Sequence, residues 1–409
     1  MTRLQRFRAY MARMNPVADP ALAIREGLYV APPGRSVAEE LASGLELEPV
    51  STHLVLGGIG SGKTSELLKA VTQLGTSLPE AGDHLEYIDV SQQHDLGIGK
   101  MSGVLTALTG LSLARNATRK NIPKPKSQLY KAIDAVRGQA YGKTEYWENP
   151  PEYHDEPPNE DEPEGYPVYT PGVLVAAEPR IPYDLYGQVQ NLRTILSAYP
   201  GEGKHSVFLF DSLDRLPSPD HFRQAIQNDL RVLKAAGIGV TIVGPIRFLS
   251  GTDRSITDLF DHTHFQLATD PVQPEGLSFL CKVLRTRALD SFLPNECLEP
   301  LAQASGGLMR DLIALAKRAG EEAYATGNEF ITLGDVSRAI DAFGRSIAIG
   351  LDEEQVKKLR HLHGGGGFVI LGERELSLIE TRRVLLHEQN RWVVHPALAP
   401  LLDAMPEAA

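Results

Sequence analysis

Residues 57–64 read Gly57-Gly58-Ile59-Gly60-Ser61-Gly62-Lys63-Thr64, and no other stretch of this 409-residue chain restricts its fold as strongly. The spacing G-x-x-x-x-G-K-[ST] suits a phosphate-cradling loop, in which glycines let the backbone wrap so that its N–H groups face phosphate oxygens. An apolar strand-like run, His53–Gly57, comes before it. A helical pattern through Ser65, Glu66, Leu67, Leu68, Ala70 and Val71 comes after. Strand, loop and helix in that order aim a helix N-terminus, with its favourable dipole, at a bound anion. Gly57 through Ser65 are therefore the expected binding residues for ATP. Lys63 is placed to reach the β- and γ-phosphates, and the Thr64 hydroxyl to ligate Mg²⁺.

Further strand-like runs lie at 84–90, 207–211 and 239–245, and helical patterns alternate with them. One such pattern, 219–235, presents Phe222, Ile226, Leu230 and Leu233 on a single face. Strand–helix alternation of this kind predicts a parallel α/β sheet covered by helices. The run Val207–Asp211 ends in an acid, which makes Asp211 the candidate second holder of the metal. Asp214 follows three residues later and can orient an attacking water only if the strand end turns it back. Ser212 stands directly after Asp211, so no acid pair is formed there, and slow hydrolysis is expected.

After about residue 270 the strand signals stop, and 274–345 read as consecutive helices, one opening at the capping-box spacing Thr332–Asp335. Residues 351–405 then give a helix over Leu351–His363, a glycine break at 364–367 and a second helix over Glu373–Thr381. A hairpin of Val384–Leu386 with Trp392–Val394 completes a winged-helix-like order. Arg382, Arg383 and Arg391 near the wing would suit DNA, against which Glu373, Glu375, Glu380 and Glu388 weigh. Trp392 and His395 read as core residues of this unit.

Composition limits the rest. Hydrophobic residues are 42% and charged residues 23%, ordinary globular usage, and no run approaches the ~18 apolar residues of a membrane-spanning helix. Two cysteines, Cys281 and Cys297, offer neither a disulfide framework nor zinc-site spacing, so a reducing, cytoplasmic setting is expected. The net charge of −11 is unevenly spread. Residues 1–14 form a basic amphipathic helix, with Leu4, Phe7, Met11 and Met14 at helical spacing beside four arginines, which reads first as a terminal helix docked on its own chain and second as a contact for nucleic acid, a membrane or a partner. Between Asp95 and Asp134 seven Lys or Arg stand without an acid, whereas 145–171 carry nine acids and seven prolines without a base. The latter composition predicts a surface insertion with no packed core.

The loop at 57–64, the strand ending in Asp211, the strand at 239–245 and the helical segment containing Ser305-Gly306-Gly307-Leu308-Met309-Arg310 together resemble an AAA+ or STAND-type ATPase. The lid is similar to that of origin-recognition and Cdc6-like members. The resemblance spans roughly residues 30–345 without the insertion. It implies an α/β fold: a P-loop NTPase parallel sheet sandwiched by helices, then an α-helical lid and a small winged-helix-like α+β module. The implied divisions are 1–29 (N-terminal helix and linker), 30–270 (ATPase core, insertion at about 110–175), 271–347 (lid) and 348–409 (winged-helix-like module). By the same resemblance Arg310 is a sensor-2 arginine acting with Lys63, Asp211 and Asp214. Arg247 and Arg254 are candidate arginine fingers for a neighbouring subunit, and Pro33-Gly34-Arg35 is similar to an adenine-side loop. Thr241–Pro245 occupies the sensor-1 position without the expected Asn. The implied function is an ATP-binding, slowly hydrolysing switch that couples nucleotide state to homo-oligomerisation or a partner protein. Two alternatives stand beside it: a DNA-binding regulator or loader of origin-recognition or transposition type, and a signalling scaffold in bacterial defence.

Overall fold

The structure, a computed structural model, describes residues 2–404 apart from 17–18, 82, 99–100, 119–122, 125, 142–145, 148–165, 168–183, 199–204, 217, 250–256 and 289–291. Most of the acidic, proline-rich insertion and Arg254 therefore lie outside the described residues.

Five strands form one parallel sheet: β1 (Thr52–Gly57), β2 (His84–Asp89), β3 (Ser206–Asp211), β4 (Ile238–Pro245) and β5 (His262–Gln266). Their order is β2-β3-β4-β1-β5. Side chains alternate across a strand with a period of two, and here both faces are apolar. Leu54, Leu56, Phe208, Phe210, Val240 and Ile242 face one side. Val55, Val207, Leu209 and Val243 face the other. A sheet that is apolar on both faces must be covered twice. Helices α2 (Val37–Leu47) and α3 (Lys63–Ala81) cover the second face. On the first lie α4 (Val104–Thr118), α5 (Gln128–Tyr141), α6 (Leu185–Ser197), α7 (Pro219–Gln227) and α8 (Asp229–Ala236).

Two elements differ from the sequence expectation. The single helix expected over 219–235 is broken at Asn228 into α7 and α8, although Phe222, Ile226, Leu230 and Leu233 are all buried as the pattern requires. Just past the break the buried Asp229 carboxylate accepts hydrogen bonds from Leu105 N (3.1 Å) and Thr106 Oγ1 (2.7 Å) at the start of α4. The second difference is β5, a histidine-rich edge strand, His-Thr-His-Phe-Gln, whose polar residues hide it from a hydrophobic pattern.

Beyond β5 the chain is helical: α9 (Pro274–Arg287), α10 (Asn295–Ala304), α11 (Met309–Ala325) and α12 (Leu333–Ala348). The N-terminal helix α1 (Arg3–Arg13) docks on this bundle. Its buried residues are Phe7 and Tyr10, joined by Met14 just past its end, whereas Leu4 stays 42% exposed. Phe7 meets Phe292 edge-on with ring centroids 4.7 Å apart. The Tyr10 hydroxyl donates to Ala316 O at 2.8 Å. Helix α11 admits this contact through Gly320, where a Cβ would sit 2.7 Å from the Tyr10 ring. The Arg3 guanidinium donates to the carbonyls of Ala323, Tyr324 and Asn328 at the C-terminal end of α11, where a cation is favoured by the helix dipole.

The last unit comprises α13 (Glu353–His363), α14 (Glu373–Glu380), the antiparallel pair β6 (Val384–His387) and β7 (Arg391–Val394), and α15 (Ala399–Ala404). Its core includes Leu359, Leu378, Ile379, Val394 and Leu398 and also takes in Ile246 from just past β4, so the unit is packed onto the sheet domain. Among the described residues no helix is long and apolar enough to cross a membrane.

Replacing a buried Phe by Ala costs about 3–5 kcal/mol. Phe7→Ala is therefore expected to undock α1. Hydrogen exchange should show lost amide protection over residues 3–13 with β1–β4 still protected. Retained protection of α1 would mean that its polar ties, not its apolar face, hold it.

Candidate functional site

The loop between β1 and α3 is shaped by its glycines. Gly60 (φ 86°) and Gly62 (φ 106°) adopt left-handed backbone that side-chain-bearing residues avoid. Gly57 is needed for a different reason: a Cβ there would lie 2.3 Å from the Gln266 carbonyl of β5. The Lys63 ammonium, 5% exposed, turns back into the loop and donates to Gly57 O (2.9 Å) and Gly58 O (3.0 Å). Its counter-charge is Asp214, with Oδ2 at 2.9 Å.

How Asp214 gets there answers the condition that the sequence posed. Ser212, directly after β3, has φ 72° and ψ 0°, and a short 3-10 turn over Leu213–Arg215 follows. This left-handed step turns the chain back and delivers the carboxylate to Lys63. Asp211 itself is buried, its two oxygens accepting from Tyr87 Oη (2.9 Å) and Ser212 N (2.7 Å). Burial, aided by Asp214, raises its pKa, while the nearby Thr64 hydroxyl acts against the rise. Thr64 at the start of α3 and Asp211 at the end of β3 thus bring two hard oxygen donors to the loop, the chemistry that Mg²⁺ prefers. Ser61 Oγ, buried without a hydrogen-bond partner among the described residues, suits a phosphate oxygen.

The helical region closes on the same loop. Arg310, at the start of α11, donates its backbone N–H to Gly60 O at 3.2 Å, and a Cβ on Gly60 would stand 2.8 Å from Arg310 Cβ. Burial and then the neighbouring Arg382 lower the Arg310 pKa, with Arg215 adding to the effect and Asp311 and Asp214 opposing it. Lys63, Arg215, Arg310 and Arg382 therefore gather about the loop. Arg382 comes from the C-terminal unit and pairs with the buried Asp311. Next to it a small, partly open apolar pocket lies between Gly58 and Ile59 of the loop, Leu308, and Leu385 and Leu386 of β6.

The remaining expected residues are dispersed. Arg247, 11% exposed, pairs with Glu373 Oε2 (2.8 Å) and Glu380 Oε1 (2.7 Å) of the C-terminal unit. Arg254 lies outside the described residues. Arg383 is buried, donating to the carbonyls of Ile347 and Ile349, and Arg391 pairs with Asp270, so all three wing arginines have partners within the chain. Residues that pattern reading passed over also serve the loop. Glu66, buried and raised in pKa chiefly by that burial, accepts from Tyr29 Oη (3.0 Å) and Ala38 N (3.1 Å). It thereby ties the segment around Pro33-Gly34-Arg35 to α3. Gln266 Nε2 donates to Ser61 O at 3.2 Å. Their signal is three-dimensional: Gln266 and Tyr87 matter because of which strands β5 and β2 adjoin.

No family model matches the chain, and no curated protein matches it. Among solved structures it is similar to the Aeropyrum pernix ORC1 protein in complex with DNA, at 14% identity over 92% of this chain and 94% of that one, with a TM-score of 0.43. It is likewise similar to the Walker-type ATPase paby2304 of Pyrococcus abyssi, at 14% identity over 92% and 99%, TM-score 0.45. A third likeness is the Thermotoga maritima RuvB Holliday junction branch migration motor, at 14% identity over 90% and 92%, TM-score 0.38. The chain's own strand order, with the phosphate loop leaving β1 and helices covering both faces of the parallel sheet, is that of a P-loop α/β fold followed by a helical C-terminal region.

Proposed function

We propose that the protein binds ATP with Mg²⁺ on the loop 57–65, hydrolyses it slowly, and uses the phosphates to govern how its C-terminal unit sits on the sheet domain. The observation that carries this reading is the convergence of Lys63, Thr64, Asp211 and Arg310 on one loop from three different elements. The loop N–H groups and Lys63 would receive the β- and γ-phosphates, and Arg310 would report on the γ-phosphate. Thr64 and Asp211 would hold the metal, which when bound neutralises charge on the phosphate oxygens. Asp214 keeps the Lys63 ammonium inside the loop and yields it as the phosphates take over its charge.

The switch follows from the neighbours of those groups. A phosphate that draws Arg310 and Arg382 toward it weakens the Arg382–Asp311 tie between the units. Arg247 is committed to Glu373 and Glu380, so it can serve a neighbouring subunit as an arginine finger only once the C-terminal unit lifts. Oligomerisation is thereby coupled to nucleotide. A second reading, DNA binding, draws on Arg115, Lys124, Lys126 and Lys131, which are exposed around the α4–α5 connection.

Lys63→Ala is expected to weaken ATP binding about 10²-fold or more, since losing one partner of a buried, hydrogen-bonded charge pair costs roughly 2–5 kcal/mol. Asp214→Asn, which releases Lys63 from its internal partner, should leave affinity unchanged or raise it. Titration calorimetry separates the two; undiminished binding by Lys63→Ala would remove the loop as the ATP site. For the second reading, duplex DNA affinity should fall steeply with salt, as phosphate contacts do, and fall further in a Lys124→Ala/Lys126→Ala/Lys131→Ala variant. Salt-independent binding, or none, would count against it.

A further inference from the structure

Strands β1 and β5 bring three histidines onto one face of the sheet. In their parallel register His53 pairs with His262 and Val55 with His264. Side chains alternate along each strand, so these four residues share a face, the one on which Val55 packs with α2 and α3. His53 and His264 are buried. Helix α2 makes room for the first through Gly44, where a Cβ would stand 2.8 Å from His53 Cε1, and meets the second with the half-exposed Glu40. The exposed His262 stacks on His53 with ring centroids 4.8 Å apart. Asp261, just before β5, is engaged with Lys234 of α8 and with Thr52.

A continuous hydrogen-bonded chain runs through these groups. Glu40 Oε2 lies 2.9 Å from His264 Nδ1, His264 Nε2 lies 3.0 Å from His53 Nδ1, and His53 Nε2 lies 2.8 Å from Ser51 Oγ. The Ser51 hydroxyl in turn donates to Glu48 O at 2.6 Å, since a carbonyl only accepts. Each of these four links needs one hydrogen and has room for no more. Two neutral imidazoles and one hydroxyl supply three. The chain is therefore complete when Glu40, His264 and His53 together hold one proton beyond two neutral rings and a carboxylate. With none a link stays open, and with two a pair of hydrogens meets across one link. Burial, with the neighbouring histidines, pushes the His53 pKa down to about 3, so the extra proton rests toward the Glu40 end.

We propose that this Glu40–His264–His53–Ser51 relay is a proton-operated clasp, which holds β5 most firmly to β1 and α2 while it carries its one extra proton. The clasp reaches the phosphate loop through the strand that it holds. Two residues past His264, Gln266 donates from Nε2 to Ser61 O at 3.2 Å and sets its carbonyl where a Cβ on Gly57 would lie 2.3 Å away. When β5 lifts, both imidazoles return to the ordinary value of about 6.5. Below that pH the lifted strand binds two protons against one in the clasp. Above it the lifted strand binds none against one. Docking is thus strongest near pH ~6.5 and weakens on both sides, in acid with His262 and Asp261 titrating beside the clasp.

The test uses the whole chain without nucleotide and follows hydrogen exchange of the β5 amides from about pH 5.5 to about pH 9, corrected for intrinsic rates and referred to β3. Wild-type protection should peak near pH ~6.5 and fall about tenfold per pH unit on the alkaline side, until the clasp itself loses its proton. In Glu40→Gln the side-chain amide can donate to His264 Nδ1, so all four links close with both rings neutral and the alkaline limb should be flat. Ser51→Ala ends the chain at His53 and should flatten the same limb. Wild-type protection that does not change on the alkaline side, or a fall that persists undiminished in both variants, would overturn the proposal. ATP affinity, which rests on the loop being the ATP site, should follow wild-type protection over the alkaline range and stay level in Glu40→Gln. Affinity that holds while protection falls would overturn the clasp's reach to the loop. The predicted protection profile in a protein that binds no ATP would overturn the ATP-site reading alone.

Discussion

A buried ammonium is costly unless it is paired and hydrogen-bonded, and the arrangement around Lys63 is a response to that cost. Two loop carbonyls and Asp214 surround its nitrogen. Bringing Asp214 within reach requires the chain to reverse as soon as β3 ends, so Ser212 takes a left-handed conformation that a serine seldom adopts. The same reversal sets the Ser212 N–H against the Asp211 carboxylate. One compensated charge thus fixes the backbone of the strand end on which the proposed chemistry depends.

The second constraint is the short chain of charges that joins the three units. Arg310 leans on the loop through its backbone, and the next residue, Asp311, is fully buried and pairs with Arg382 across the unit boundary. Arg247 spans the same boundary at the other end of the contact. Ion pairs at such a junction respond to added charge more strongly than an apolar seam would, because a phosphate competes directly for the guanidinium groups. Apolar contacts accompany these charges: Ile246 and, from α12, Phe343 and Ile347 in one cluster, and Ala268, Leu308 and Leu385 in another.

Local patterns made part of this legible. The glycine spacing at 57–64, four of the five sheet strands, the C-terminal helices and hairpin, and the docking of α1 all follow from residues close in sequence. On α1 the buried face takes in Tyr10 in place of Leu4, because Gly320 of α11 lies against the Tyr10 ring. What escaped depends on partners far apart in the chain. The edge strand β5 reads as polar, yet its His264 is buried and stacks on His53 of β1, with rings 5.3 Å apart, while His262 stacks on the same ring from the exposed side. Burial, with the two neighbouring histidines, pushes the His53 pKa down to about 3, so the His53 ring at the centre of the stack is neutral. Tyr87 acquires meaning only from the register of β2 with β3, which sets its hydroxyl on Asp211. Asp214 was visible as a carboxylate, but its commitment to Lys63 is a consequence of one φ angle.

The most direct test is a distance. Spin labels at cysteines replacing Glu46 on α2 and Glu388 at the β6–β7 turn, both exposed, report the separation of sheet domain and C-terminal unit. The native Cys281 and Cys297 are buried and will not compete for label. With Mg²⁺ and a non-hydrolysable ATP analogue the distance distribution should shift to longer values, and with Mg²⁺ and ADP it should not. Identical distributions under both conditions, with nucleotide bound, would contradict the claim that the phosphates control this junction.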